Sequence, residues 1–209
     1  MIPHRKIPNT IPDGYTDLAP GKIASVVTYL EMLERPRLPD VSEHESESPV
    51  VLRRVPNPEL AWYRDLMRRA GAQWVWFSRL AMNDDQLAAL LHCSTTEVYL
   101  VEVERREIGM AELDRSESPN VEIASFALFA EAIGKGFGRA FMTSLLIQAW
   151  DESATRIWLH TCTLDSPTAL GFYIKCGFHP YKRAIEVADD PRLRGILPED
   201  AAPQVPLLR

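Results

Sequence analysis

The chain has 209 residues, 46 % hydrophobic and 25 % charged, with a formal net charge of −6. That is enough for one core-bearing domain, and too acidic, with no lysine or arginine cluster, for nonspecific nucleic-acid binding. No stretch approaches the roughly 18 apolar residues of a membrane span. Prolines interrupt "MIPHRKIPNTIPDGY" where a secretion signal needs continuous apolar sequence. These features predict a cytoplasmic protein that engages neither membrane nor nucleic acid. The three cysteines, Cys93, Cys162 and Cys176, lack a CxxC pair or a histidine pair at ligand spacing. They read as buried thiols, with no metal site.

In chain order, residues 1–22 form an extension expected to be irregular. "IASVVTYLEML" (23–33), rich in β-branched and aromatic residues, predicts a strand, and "VVLRRV" (50–55) a second. The prolyl, acidic stretch 34–49 between them reads as a mobile loop. A helix follows, with Asn57 as N-cap, Pro58 at its first position and Gly71 at its end. "WVWFSRL" then crowds Trp74, Trp76 and Phe77 beside Arg79. Asn83, with acidic residues after it and Gln86 three positions on, predicts a second helix opened by a capping box.

"EVYLVEVE" and "EIGMAEL", parted by a charged turn at Arg105 and Arg106, predict a hairpin, and "NVEIASFALF" a further strand. From Arg139 to Trp150 the apolar residues form the broad stripe of a helix packed on a sheet. "RIWLHTCTL" returns to strand. "SPTALGFYIKCGF" predicts a helix with Ser166 as N-cap, Pro167 first and Gly177 as stop. "HPYKRAIEVA" closes the sheet, and the tail 189–209 is expected to be irregular. The domain proper is thus 23–188.

Before the 139–150 helix stands "EAIGKGFGRAF", with glycines at 134, 136 and 138. A glycine-rich turn at a helix N-terminus makes a concavity of unpaired N–H groups that suits a phosphate, with Lys135 and Arg139 as cations beside it. The spacing fits neither a Walker loop, since Lys135 is followed by Gly136, nor the dinucleotide GxGxxG, whose third glycine is missing. A nucleotide-dependent enzyme is therefore disfavoured.

Ile133, Gly134, Lys135, Gly136, Phe137 and Gly138 match, except at Ile133, the phosphate loop of the GNAT superfamily of Gcn5-related N-acetyltransferases. "SPTALGFYIKCGF" resembles that family's helix ending in tyrosine, three residues and Gly-Phe, with Ser166 where asparagine is common. The resemblance covers about residues 97–187. It implies an α/β (α+β) GNAT fold, a mixed, mostly antiparallel sheet flanked by helices, with "NVEIASFALF" and "RIWLHTCTL" splayed to admit acetyl-CoA. It also implies acetyl transfer to a primary amine of a small molecule or peptide by direct attack, releasing CoA. In this reading the 57–91 helices form a mobile cover over the acceptor.

The resemblance further assigns the glycine loop from Ile133 to Arg139 to the pyrophosphate, and Phe126, Ala127, Leu128, Ser166 and Phe172 to the rest of the cofactor. The Leu128 N–H would face the developing oxyanion and Tyr173 would protonate the departing thiolate. An alkylamine of pKa about 10.4 needs a base at neutral pH. Glu122 is the first candidate, on the same side as Phe126 and Leu128 if strict alternation holds. Glu112 and His160 are the alternatives. Trp74, Trp76, Phe77 and Arg79 could form an aromatic acceptor wall whose arginine binds a carboxylate. A catalytically inactive GNAT-fold binding or regulatory module is the competing hypothesis, and the long first strand and "WVWF" could serve a homodimer.

Overall fold

Strand β1 (Lys22–Met32) alternates exposed and buried residues and is paired antiparallel on both edges, to β6 (Arg156–Cys162) and to β7 (His179–Asp189). This computed structural model describes residues 13–39 and 48–209. The remaining strands are β2 (Val51–Arg54), β3 (Thr96–Val103), β4 (Arg106–Asp114) and β5 (Asn120–Leu128). They form one seven-stranded sheet of order β2-β3-β4-β5-β6-β1-β7, antiparallel except where β5 meets β6. The mixed, mostly antiparallel sheet flanked by helices is the one expected. The chain's earliest strand, however, lies inside the sheet, beside two of its latest.

Each face of the sheet carries its own core. Helices α1 (Leu60–Gly71) and α2 (Asp84–Leu91) bury Tyr63, Leu66, Met67, Leu87 and Leu91 on Val98, Leu100, Met110 and Ala127. On the other face α3 (Phe137–Ala149) and α4 (Ala169–Lys175) set Phe141, Met142, Leu145 and Tyr173 against Leu30, Leu113, Ile123, Ile157 and Leu159. Burial of this kind stabilises by about 25 cal/mol per Å² of apolar surface. The α1 and α2 helices are therefore packed elements of the core rather than a loose cover.

Several local expectations need correction. Glu59, not Asn57, caps α1, its carboxylate accepting from the N–H groups of Ala61 and Trp62. Asn57 has a φ of 47° and stands outside the helix. Likewise α4 starts at Ala169 after a turn through Ser166, whose hydroxyl meets Thr168 rather than capping the helix. Asn83 and Gln86 do form the capping box. The hairpin turns at Glu104 and Arg105, with φ of 50° and 63°; two left-handed residues match the twist of the strands they join. Cys93 is exposed and Cys162 and Cys176 are only half-buried, so the cysteines are not the buried thiols predicted.

The expected mobile loop lies largely at 40–47, outside the described residues, as do residues 1–12. The tail is not loose. Arg192 is buried and pairs with buried Asp190 at 2.7 Å, while its guanidinium also donates to the carbonyls of Ala201 and Val205. Around it Leu197 and Ala202 pack with Ile23 of β1 and with Val75, so the tail braces the segment after α1.

Gly109 of β4 lies opposite Leu128, and a Cβ there would collide with the carbonyl oxygen of Ala127. The collision is with backbone, which cannot rotate away. Gly109→Ala is expected to lower stability by about 1–3 kcal/mol, read as a lower urea midpoint with unchanged slope.

Candidate active site

Strands β5 and β6 run parallel for only three register pairs: Asn120 with Arg156, Val121 with Ile157, and Glu122 with Trp158. Beyond Glu122 the register stops, leaving the backbone of β5 up to Leu128 without a strand partner on that side. A cavity of about 650 Å³ opens in the gap. Its walls are the splayed ends of β5 and β6, the N-terminal part of α4, the glycine loop and the segment 74–79 that follows α1.

The pairing of β4 with β5 skips Ala124: Leu113 faces Ile123, but Glu112 faces Ser125. One extra residue in a strand reverses which side chains share a face. Val121 and Ile123 therefore join Phe126 and Leu128 in the core under α3 and α4. Glu122 does not share their side, and the expectation from strict alternation is overturned. It falls on the α1 face with Glu112, Asp114 and His160, while Tyr173 lies on the opposite one. The cavity passes between the strands and brings both faces together.

On the α3 side, Gly134 and Gly136 have φ of 79° and 86°, where side chains are strained. A Cβ added to either would meet nothing within 4 Å. Gly136 is the N-cap residue of α3 and supplies no side-chain bond, so the first N–H groups of a 13-residue helix stay available. Gly138 has another role: a Cβ there would come within 3.3 Å of the Phe172 ring. Ile133, Gly134, Gly136, Gly138, Ser166 and Phe172 line the cavity together with Phe126, Ala127 and Leu128. Lys135, Phe137 and Arg139 are not part of the lining, and Lys135 and Arg139 are exposed on the rim.

Phe126 stacks on Phe141 with ring centroids 4.0 Å apart and meets Phe172 and the edge of Tyr173 at 5.7 and 6.0 Å. These contacts fix the Tyr173 ring, which is buried yet reaches the cavity. Burial, aided by the Asp165 charge, pushes its phenol above the ordinary range. A phenol is already protonated at neutral pH, and the shift only reinforces this, so the hydroxyl is a donor.

On the α1 side, Glu112 is completely buried and accepts from the Tyr63 hydroxyl and, at 2.5 Å, from Arg79. Both its oxygens are engaged, which removes it as a free base. Glu122 accepts no such hydrogen bonds among the described residues, although Arg79 acts on it as a lowering charge. Burial, and then the charge of Asp114 directly across the strand pair, push its carboxyl up to about 7. His160 Nε2 lies 3.8 Å from Glu122 Oε1, and desolvation at the cavity wall lowers the imidazole's pKa although the side chain is half exposed and Asp165 and Glu186 oppose the shift. Trp74, Trp76, Phe77 and Arg79 all line the same cavity as Glu122.

Tyr63 and Asp165 were not singled out by sequence reasoning. Tyr63 reads as one apolar-stripe residue among several. Asp165 stands inside the second motif, between strand and helix, where nothing in the spacing marks it. No three His, Cys, Asp or Glu among the described residues converge as a metal site, and no described helix is long and apolar enough to cross a membrane.

The profile of the Acetyltransferase (GNAT) family matches residues 61–178, more than half of the chain. The chain belongs to this family. A conserved protein of unknown function from Staphylococcus epidermidis superposes with a TM-score of 0.51 at 14 % identity, over 81 % of this chain and 64 % of its own. The GNAT-family chain thus spans less than two thirds of that protein's length. A GCN5-related N-acetyltransferase from Kribbella flavida gives 0.49 at 17 % identity, over 84 % and 63 %. An aminoglycoside acetyltransferase from an uncultured soil metagenomic sample gives 0.45 at 18 %, over 60 % and 86 %. No curated protein sequence matches. At such identities the likeness is one of fold.

Because the folded state holds the Glu122 proton more tightly than an unfolded chain, whose glutamate titrates near 4.3, this group favours folding most at low pH. Its contribution falls as pH rises from about 4.5 through about 7. Glu122→Gln, which cannot ionise, is therefore expected to gain thermal midpoint relative to wild type between pH 5 and pH 8. Melting curves at both pH values give the comparison.

Proposed function

We propose that the protein transfers an acetyl group from acetyl-CoA to a primary amine. The observation that carries this reading is the gap between β5 and β6. It joins an open, glycine-lined helix N-terminus and a protonated tyrosine on one face to a carboxylate of pKa near neutrality on the other. A catalytic acid and base with separate environments, reachable from opposite sides, suit two reactants that meet between them.

The residues present fit the cofactor. The free N–H groups at the start of α3, beside Gly134 and Gly136, would hold the pyrophosphate. The unpaired edge of β5 beyond Glu122 offers backbone groups to the extended arm, and Phe126 and Phe172 wall its path. Acetyl-CoA supplies an acyl group already activated as a thioester. Glu122, in its ionised form, takes the proton of the incoming ammonium directly or through one water. Tyr173 holds a proton at its hydroxyl for the departing sulfur. The neutral imidazole of His160, close to Glu122, is placed to relay the same proton toward solvent.

The pairing of Arg79 favours an acceptor other than the carboxylate-bearing one its sequence position suggests. Arg79 is already paired with buried Glu112, and its freedom to bind a substrate carboxylate is correspondingly small. Besides Arg79, the charged side chains lining the cavity include the carboxylates Asp114, Glu122, Asp165 and Glu186. Their sum attracts a cation. The acceptor in this reading is an amine without a neighbouring carboxylate.

Calorimetry should give micromolar binding of acetyl-CoA that Gly136→Glu abolishes, while ATP and NAD do not bind. Tyr173→Phe should keep that affinity and lower kcat by about 10²-fold or more; a protein that binds acetyl-CoA but acetylates no amine in a thiol-release screen would be the binding module instead. The pH profile of kcat/KM should rise through an apparent pKa near 7, because the base works deprotonated, and Glu122→Gln should flatten that limb.

A further inference from the structure

Strand β7 ends the sheet: it pairs with β1 on one edge and, among the described residues, with no strand on the other. Strand β1, which from sequence could serve a dimer, is already paired on both edges. None of the 11 residues of β7 is buried. Ile185 and Val187 are 48 % and 52 % exposed, and Val26, opposite Ile185 on β1, is 40 % exposed. They form an apolar strip along the edge, on the sheet face that α3 and α4 cover further in. A bare strand edge beside such a strip is a template for another strand.

Proline, lysine and bulges blunt such edges, and β7 carries all three. Pro180 and a bulge at Tyr181, where Tyr29 faces Lys182 but Leu30 faces Pro180, confine regular pairing to residues 182–189. Lys182 then opposes any partner strand that does not set an acid across from it. A second copy of β7 can supply that acid. Successive residues turn their N–H and C=O groups to alternate edges, and opposite residues of an antiparallel pair point them alike. When both strands are β7, the numbers of opposite residues must therefore add to an even sum, which places the two-fold axis on a residue. An axis on Lys182, Arg183 or Glu186 opposes like charges, which destabilises. An axis on Ile185 or beyond opposes no charges of unlike sign. On Ala184, Lys182 faces Glu186 of the other copy twice by symmetry, Arg183 lies across from Ile185, and the two Ile185 side chains are diagonal neighbours that join the apolar strips.

We propose that two copies of this chain associate through β7 about a two-fold axis at Ala184, continuing one sheet through both, with Lys182 of each copy opposite Glu186 of the other. The interface reaches the site. Glu186 lines the cavity, and Lys182 stands on the same face of β7, its Nζ 4.3 Å from the centroid of the Tyr29 ring. Each copy thus brings an ammonium to the rim of the other's cavity. That charge offsets Glu186 and leaves Asp114, Glu122 and Asp165 as the carboxylates that draw in a cation.

The test is a charge-reversal cycle read by sedimentation equilibrium of the full chain. Wild type should be dimeric at about 100 µM and dissociate on dilution. Lys182→Glu and Glu186→Lys each set like charges across the axis and should weaken the dimer Kd about tenfold or more. The double variant restores unlike charges in reversed order and should return Kd to within about threefold of wild type, and an equal mixture of the two single variants should dimerise better than either alone. Both side chains are exposed, so the reversals leave the packed core untouched. A chain that stays monomeric at that concentration overturns the proposal, its edge then belonging to another partner. A dimer indifferent to the single reversals, or a double variant as weak as the singles, overturns it as well.

Amide hydrogen exchange gives a second reading on the unaltered protein. Dilution from dimer to monomer should speed exchange within residues 182–186 and leave β2, the strand at the opposite edge of the sheet, unchanged. Exchange in β7 that is independent of concentration across the dissociation range overturns the interface. Neither measurement involves acetyl transfer, so its failure leaves the transferase reading intact.

Discussion

Everything at the site depends on the loss of pairing between β5 and β6 after Glu122 and Trp158. Two parallel strands that stayed in register would close the sheet, and the faces under α1 and α3 would remain separate. Parting them leaves backbone hydrogen-bonding groups without strand partners at the middle of a sheet. Such groups are costly to leave unmet inside a protein. In the proposed reading an extended ligand arm laid along β5 would satisfy them.

The charged groups around the opening divide by their degree of engagement. Glu112, although wholly buried, is matched by Tyr63 and Arg79 and serves to join α1, the segment after it and β4. Glu122, in the last register pair of β5 with β6, faces Asp114 across the strands and feels Arg79 only as a weaker, opposing charge. Burial raises its pKa toward neutrality, where a base is most useful. The same physics raises the Tyr173 phenol on the other face. An ordinary glutamate would be fully ionised at neutral pH, whereas a phenol is protonated there with or without burial.

The segment 74–79 that lines the cavity is supported from two directions. Asp165 holds Trp76 from the β6 end, and the C-terminal tail, pinned through buried Arg192, packs against Val75 and Phe77. The tail reads as irregular because its order comes from one arginine and several carbonyls, a pattern without periodicity. For the same reason the insertion of β1 between β6 and β7 could not be read in advance: alternation marks a strand, but carries no statement about its neighbours.

The sequence by itself determined the elements with strong local signals. The capping box at Asn83, the amphipathic α3, the glycine loop and the Tyr173 helix all rest on contacts within a few residues, and the two motifs together pointed to the GNAT family. Tertiary structure decided what depends on partners far along the chain. The skipped Ala124 moves Glu122 to the opposite face from Phe126, because register is a property of two strands and not of one. Arg79 turns from a free cation to the partner of Glu112, 33 residues away. Asp165 gains its meaning only from Trp76, 89 residues earlier. Sequence spacing records local geometry, whereas which charges meet, and which stay unmet beside a cavity, is fixed only when the sheet closes.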